Sequence, residues 1–154
     1  MKKVFALMLA AVMVFALVAC GSEGSSDTAK EITDVAVYED TQADILDAEF
    51  FTTEDGISAV RVNFKYTNNS ADGLYMYESF AVHAFQNDVE LNEITDINEE
   101  PEVGNSAELI REIKDGASLE GSYVFALSDD SDVEVRVFTP TADEELLAQK
   151  VFSK

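Results

Sequence analysis

Cysteine and histidine occur once each in these 154 residues, proline twice and tryptophan not at all, and ten Lys and Arg face 31 Asp and Glu. Each shortage closes a class of answers. With Cys20 alone, the chain has no intramolecular disulfide and its folded part no thiol nucleophile, although an exported domain could have used either. His83 alone cannot build a histidine metal cluster, and no Gly-x-Ser-x-Gly elbow or Ser-x-x-Lys motif accompanies it. On a strand it would lie with Ala81 and Phe85, opposite Phe80, Val82 and Ala84, the place of a structural histidine. The shortage of basic residues excludes nucleic acid as a partner, because so anionic a surface repels phosphate backbones. Long apolar runs are scarce too. The one uncharged stretch, Val4 to Val18, falls short of the roughly 20 residues a spanning helix needs.

That stretch carries the clearest signal in the chain. Met1-Lys2-Lys3 is a basic start, and the apolar run ends in Leu17-Val18-Ala19-Cys20. A charged start, an apolar middle and a small residue before a cut describe an export signal. Leu-Val-Ala-Cys resembles the lipobox of bacterial lipoproteins. The resemblance implies cleavage between Ala19 and Cys20 and a diacylglyceryl group on the Cys20 sulfur. Cys20 would then hold two acyl chains, which anchor a protein stably, whereas one chain alone holds it only marginally. The expected location is therefore extracytoplasmic, on the outer face of the cell membrane. Without residues 1–20, which hold two basic and no acidic side chains, 31 acids face 8 bases and the net charge is −23. Such a body stands off anionic headgroups and hangs by its lipid.

Residues 21–34 (GSEGSSDTAKEITD) are too polar to order themselves and read as a tether spanning roughly 20 Å. The expected organisation is a signal peptide over 1–19, a lipidated cysteine with tether over 20–34, and one domain over 35–154. About 120 residues suffice for a core without staples and are too few for a two-lobed solute-binding protein.

Within that domain the period is two. Val35 to Tyr38 and Ile45 to Phe51 read as strands, and Glu54-Asp55-Gly56 as a turn. Val60, Val62, Phe64 and Tyr66 alternate with Arg61, Asn63 and Lys65, the signature of a half-buried antiparallel strand. Further strands are expected at Ser79 to Gln86, at Val89 to Leu91 after an Asn87-Asp88 turn, at Leu119 to Leu127 and at Val133 to Val137. Asn92 to Asn105 is a long acidic loop, and Ala107 to Ile113 fits strand or helical turn. At the tail, Thr141 and Glu144 fit a helix capping box, while a helical turn or loop followed by a strand suits Leu146 to Phe152 better. The fold class expected is all-β: an antiparallel two-sheet sandwich of seven to eight strands.

The hairpin at Asp55-Gly56, the run Phe64 to Ser70, Ala84 to Asn87 with Val89 to Leu91, and Ile113 to Gly116 together carry a family likeness. The chain from about Ile45 to Thr139 resembles the immunoglobulin-like, telokin-like domain of unknown function found in lipoproteins of Gram-positive, often gut-dwelling, bacteria. That family commonly has glycine where this chain has Asp88. The resemblance implies fold and location, and no activity, since its motifs are turns and strands without chemistry.

No pair among the 31 acids stands out as a hydrolytic couple, so no catalytic residue, no cofactor and no enzyme are expected. Asp130, Asp132 and Glu134 offer oxygen ligands at alternate positions, a weak calcium candidate. Val135 and Thr141 occupy the places where an EF-type loop needs glycine and glutamate. Tyr75 and Tyr77, in Leu74-Tyr75-Met76-Tyr77, would share one face of an extended segment and serve as contacts for a protein or glycan. Asn68-Asn69-Ser70 is formally a glycosylation sequon. The function expected is a tethered, non-catalytic interaction module bound to the membrane through Cys20 and to an envelope or extracellular protein or glycan. The alternatives are an accessory subunit of an envelope complex docking by its strand edges, and a calcium-responsive module.

Overall fold

The computed structural model describes residues 32–95 and 106–154. The signal segment with Ala19, the lipidation residue Cys20 and the tether up to residue 31 lie outside the described residues. So does 96–105 of the acidic loop. Among the described residues no helix is long and apolar enough to cross a membrane.

Among the described residues ten strands and two one-turn helices follow one another: β1 (Val35–Tyr38), β2 (Thr41–Thr52), β3 (Ser58–Asn68), β4 (Leu74–Tyr75), α1 (Met76–Ser79), β5 (Ala81–Gln86), β6 (Val89–Glu90), α2 (Ser106–Leu109), β7 (Glu112–Ile113), β8 (Ser118–Ala126), β9 (Val133–Phe138) and β10 (Leu146–Phe152). All strand pairs are antiparallel. They form a β1-β2-β3-β8 sheet, a β10-β9-β5-β6 sheet and a small β4-β7 sheet.

One hydrophobic cluster joins the two larger sheets. Val60, Val62, Phe64 and Tyr66 of β3 meet Val133, Val135 and Val137 of β9 and Ala84 of β5 there. The alternation readable in β3 and β9 is what puts these groups on one face. Each large side chain taken out of water contributes about 1.5–3 kcal/mol.

β2 is longer than alternation alone predicts, because its phase changes midway. Ile45 pairs with Phe64 and Ala48 with Val62, so Leu46 and Asp47 together oppose Asn63 in a β-bulge. Before the bulge the inward residues are Thr41, Ala43 and Ile45; after it they are Ala48 and Phe50. Lys150 of β10 caps the bulge, its Nζ donating to the carbonyls of Ile45 (3.0 Å) and Leu46 (2.5 Å).

Both seams between the large sheets are stitched. On one side Thr33 forms a bridge with Ala148, and the Gln149 N–H donates to the Thr33 carbonyl at 2.9 Å. The chain thus joins the fold two residues before β1. On the other side Glu93 bridges Phe125, the Ile94 N–H reaches the Val124 carbonyl at 2.8 Å, and the Ala126 N–H reaches that of Asn92 at 2.9 Å. Covered edges of this kind limit strand-to-strand association.

The ambiguous stretch 107–113 resolves into both alternatives, α2 followed by β7. Asn87 (φ 50°) and Asp88 (φ 63°) are both left-handed, as a two-residue type I′ hairpin demands. The capping box at Thr141 starts no helix. Glu144 takes a φ of 36°, its N–H closes a turn onto the Thr141 carbonyl, and the chain runs on into β10.

Candidate interaction site at the Tyr75–Tyr77 rim

The rim is built on a buried amide. Asn68, at the end of β3, has no exposed surface. Its Nδ2 donates to the carbonyls of Asp72 (2.6 Å) and Ile113 (2.9 Å), and its Oδ1 accepts from the Ser70 N–H and Oγ, both at 2.8 Å. One side chain thereby folds the loop 69–73 and ties it to β7. The same bonds take this asparagine off the surface, so the sequon presents no free amide.

From that loop β4 pairs with β7, setting Leu74 opposite Ile113 and Tyr75 opposite Glu112. The segment does not stay extended through Tyr77, as alternation suggested. After Tyr75 it turns into α1, and the Ser79 Oγ donates to the Tyr75 carbonyl at 2.7 Å. Tertiary packing favours the turn over a strand. Met76 and Phe80, four residues apart, both enter the core, and Met76 becomes fully buried. Gly121 of β8 leaves the room: a Cβ there would sit 2.7 Å from the Met76 Cε.

The two tyrosines nevertheless meet. Their ring centroids are 5.9 Å apart with planes tilted by 44°, and Tyr77 is 52 % exposed. The Tyr77 hydroxyl donates to Glu78 Oε1 at 2.7 Å, a bond that holds this phenol's pKa above its ordinary value. Glu112, directly across from Tyr75, lies on the same face of the small sheet and pairs with Lys114 at 2.5 Å. Two tilted aromatic faces edged by carboxylates can hold a cation or a flat group. They offer no nucleophile and base in contact.

The calcium candidates are not brought together. Glu134 grips Arg136 through both oxygens (3.0 and 2.8 Å), and Asp130 pairs with Lys154. Among the described residues no three His, Cys, Asp or Glu side chains gather as a metal site. The loop owes its shape to Gln86 instead. This buried amide donates to the carbonyls of Asp129 (3.2 Å) and Ser131 (2.8 Å) and accepts from the Ser128 N–H at 2.8 Å. Asp129 accepts from the N–H and hydroxyl of Ser131 and from Asn87, which lowers its pKa.

His83 sits on the outer face of the second sheet. Its Nδ1 is 2.6 Å from Glu90, its Nε2 3.8 Å from Glu144, and its ring stands edge-on to Phe138. In the core, the Tyr66 hydroxyl has no hydrogen-bond partner of standard geometry. Burial first, and the nearby Tyr123 phenol second, hold its pKa well above the ordinary value. Burial pushes Tyr123 up to about 12. Sequence reasoning also missed a shallow depression of about 280 Å³ over the bulge, lined by Asp47, Asn63 and Glu120 among others. Only the broken alternation at Leu46-Asp47 could have signalled it.

Among solved structures, the fold is similar to that of a candidate lipoprotein from Staphylococcus aureus. The TM-score is 0.63 at 14% identity, over 80% of this chain and 90% of that one. It is also similar to a candidate lipoprotein from Bacillus subtilis, with a TM-score of 0.54 at 16% identity, over 79% of this chain and 38% of that one. These likenesses show the fold. No curated protein matches the sequence. Residues 20–138 match the family described as a domain of unknown function, DUF5067, and the chain belongs to that family.

Proposed function

We propose that this chain is a lipoprotein anchored to the outer face of the cell membrane through diacylglyceryl-Cys20, and that its β-domain is a non-catalytic module binding an envelope or extracellular partner at Tyr75 and Tyr77. The anchoring reading is supported by the lipobox, by a family match that begins at residue 20, and by structural neighbours described as candidate lipoproteins. Two four-stranded antiparallel sheets sharing one core support an immunoglobulin-like, telokin-like architecture. The observation that carries the binding reading is the tyrosine pair, Tyr77 exposed and Tyr75 partly exposed, held on a rim whose backbone is fixed by Asn68. Rigid aromatic side chains supply contact area at low entropic cost.

Photo-crosslinking on intact cells, with Cys20 in place, tests this. Partner capture by the natural chain should fall when Tyr75 and Tyr77 are both replaced by alanine. Undiminished capture would remove the rim from the proposal. Docking to a larger complex by an outer sheet face is the second reading, favoured by Val37 of β1 and Val151 of β10, which are 57% and 53% exposed. Under that reading, co-purification with a larger complex after gentle solubilisation would depend on these valines and not on the tyrosines.

A further inference from the structure

Three times among the described residues a cation lies over an aromatic ring with a carboxylate beside it. The Arg61 guanidinium stands 5.2 Å from the Phe51 ring centre and bonds Glu49 at 2.9 Å. That of Arg136 stands 4.5 Å from Phe85 and is gripped by Glu134. The Lys150 ammonium stands 5.5 Å from Phe152, with Asp34 at 3.6 Å. The ring attracts the charge through its quadrupole, and the carboxylate fixes it from the side.

The Tyr75–Tyr77 rim holds the same two partners. Its rings lie 5.9 Å apart, and Glu78 is tied to Tyr77 through Oε1. Among the described residues no cation stands over either ring, and Lys114, just past β7, is engaged by Glu112. We propose that this rim seats an arginine side chain from a basic segment of a partner protein, its guanidinium lying against Tyr75 and Tyr77 and bonding Glu78. The inference rests on the binding reading above and names the chemistry of its partner. Charge argues for a basic segment: the chain beyond residue 20 carries −23, a field that steers cationic partners toward it and anionic ones away. Geometry argues for arginine over lysine. A planar, weakly hydrated guanidinium stacks on rings while bonding a carboxylate; a compact ammonium keeps its water.

The test titrates the full, isotope-labelled chain with acetyl-Gly-Arg-Gly-amide at physiological salt, following Tyr75 to Ser79 by NMR. Peptides with lysine, or with uncharged citrulline, in place of arginine run beside it. The arginine peptide should bind at the rim and more tightly than the other two. Tyr75→Leu with Tyr77→Leu, and separately Glu78→Gln, should each weaken it roughly fivefold, the size of an exposed cation–π or ion-pair contribution. Glu54→Gln, an equal change of net charge on a distant turn, should leave it unchanged. Tyr77→Leu alone, at an exposed position, guards against loss of fold in the double variant. Binding unaffected by the tyrosine changes, or equalled by the lysine or citrulline peptide, overturns the proposal. If crosslinking on cells needs the tyrosines but arginine does not bind there, the site stands and its occupant is wrong. If both fail, the binding reading falls with it.

Discussion

Asn68→Ala reaches both the stability of the fold and the placement of the rim. The substitution removes four hydrogen bonds at once from a side chain with no exposed surface. Ser70 and Asp72 lie near the surface, so their freed groups recover water, and each such bond costs about 0.5–1 kcal/mol. The Ile113 carbonyl is in buried surroundings, and an orphaned acceptor there costs about 1–3 kcal/mol. Together the loss is about 2.5–6 kcal/mol, which for a domain of this size lowers Tm by roughly 10–25 °C. The chain has no tryptophan, so urea and thermal unfolding are followed by tyrosine fluorescence and near-ultraviolet circular dichroism. Asn68→Asp should cost at least as much, because it turns a carboxylate oxygen toward two carbonyls. A Tm change below roughly 3 °C with β4 and β7 still paired would refute the reasoning. The loop would then be held by contacts other than this amide.

Other outcomes follow from the same geometry. Asp129 has a lowered pKa in the fold, so its contribution is present above the ordinary carboxylate pKa of about 3.9 and fades as pH falls below it. The natural chain should therefore melt above Asp129→Asn at neutral pH, and the two should converge in acid. Tyr66 and Tyr123 have raised pKa values, so their contribution holds below the ordinary phenol pKa of about 10 and is lost as pH rises beyond it. In an alkaline titration read by tyrosinate absorbance, Tyr66→Phe and Tyr123→Phe should leave the reversible phase unchanged and remove amplitude from the unfolding phase. Millimolar calcium should raise Tm no more than sodium at equal ionic strength, since Asp130 and Glu134 are already paired with Lys154 and Arg136; a specific rise would restore the calcium reading.

Much of the fold was legible because β3 and β9 alternate between a buried and a partly exposed face. The alternation of β3 and β9 and the Asn87-Asp88 turn follow from local chemistry alone. What escaped depended on partners far along the chain. The start of β2 was hidden because the bulge at Leu46-Asp47 reverses the phase that alternation relies on, and Lys150, over a hundred residues away, stabilises the reversal. The turn at Met76 has no capping side chain to announce it, and exists because Gly121 leaves space for a methionine. Asn68 and Gln86 looked like ordinary polar ends of strands. Their role as buried organisers of two loops is visible only once those loops fold back on them. The tyrosine pair was legible as a contact candidate, but its mutual tilt and its link to Glu78 were not.

The account turns on the chemistry of the chain's mature amino terminus. Intact and fragment mass spectrometry of the protein purified from membranes, beside a Cys20→Ser form, tests it most directly. The natural protein should begin at Cys20 and carry a diacylglyceryl mass, while the serine form should remain unacylated and uncleaved at that site. A natural protein that keeps residues 1–19, carries no lipid on Cys20 and partitions like its serine form would contradict the account.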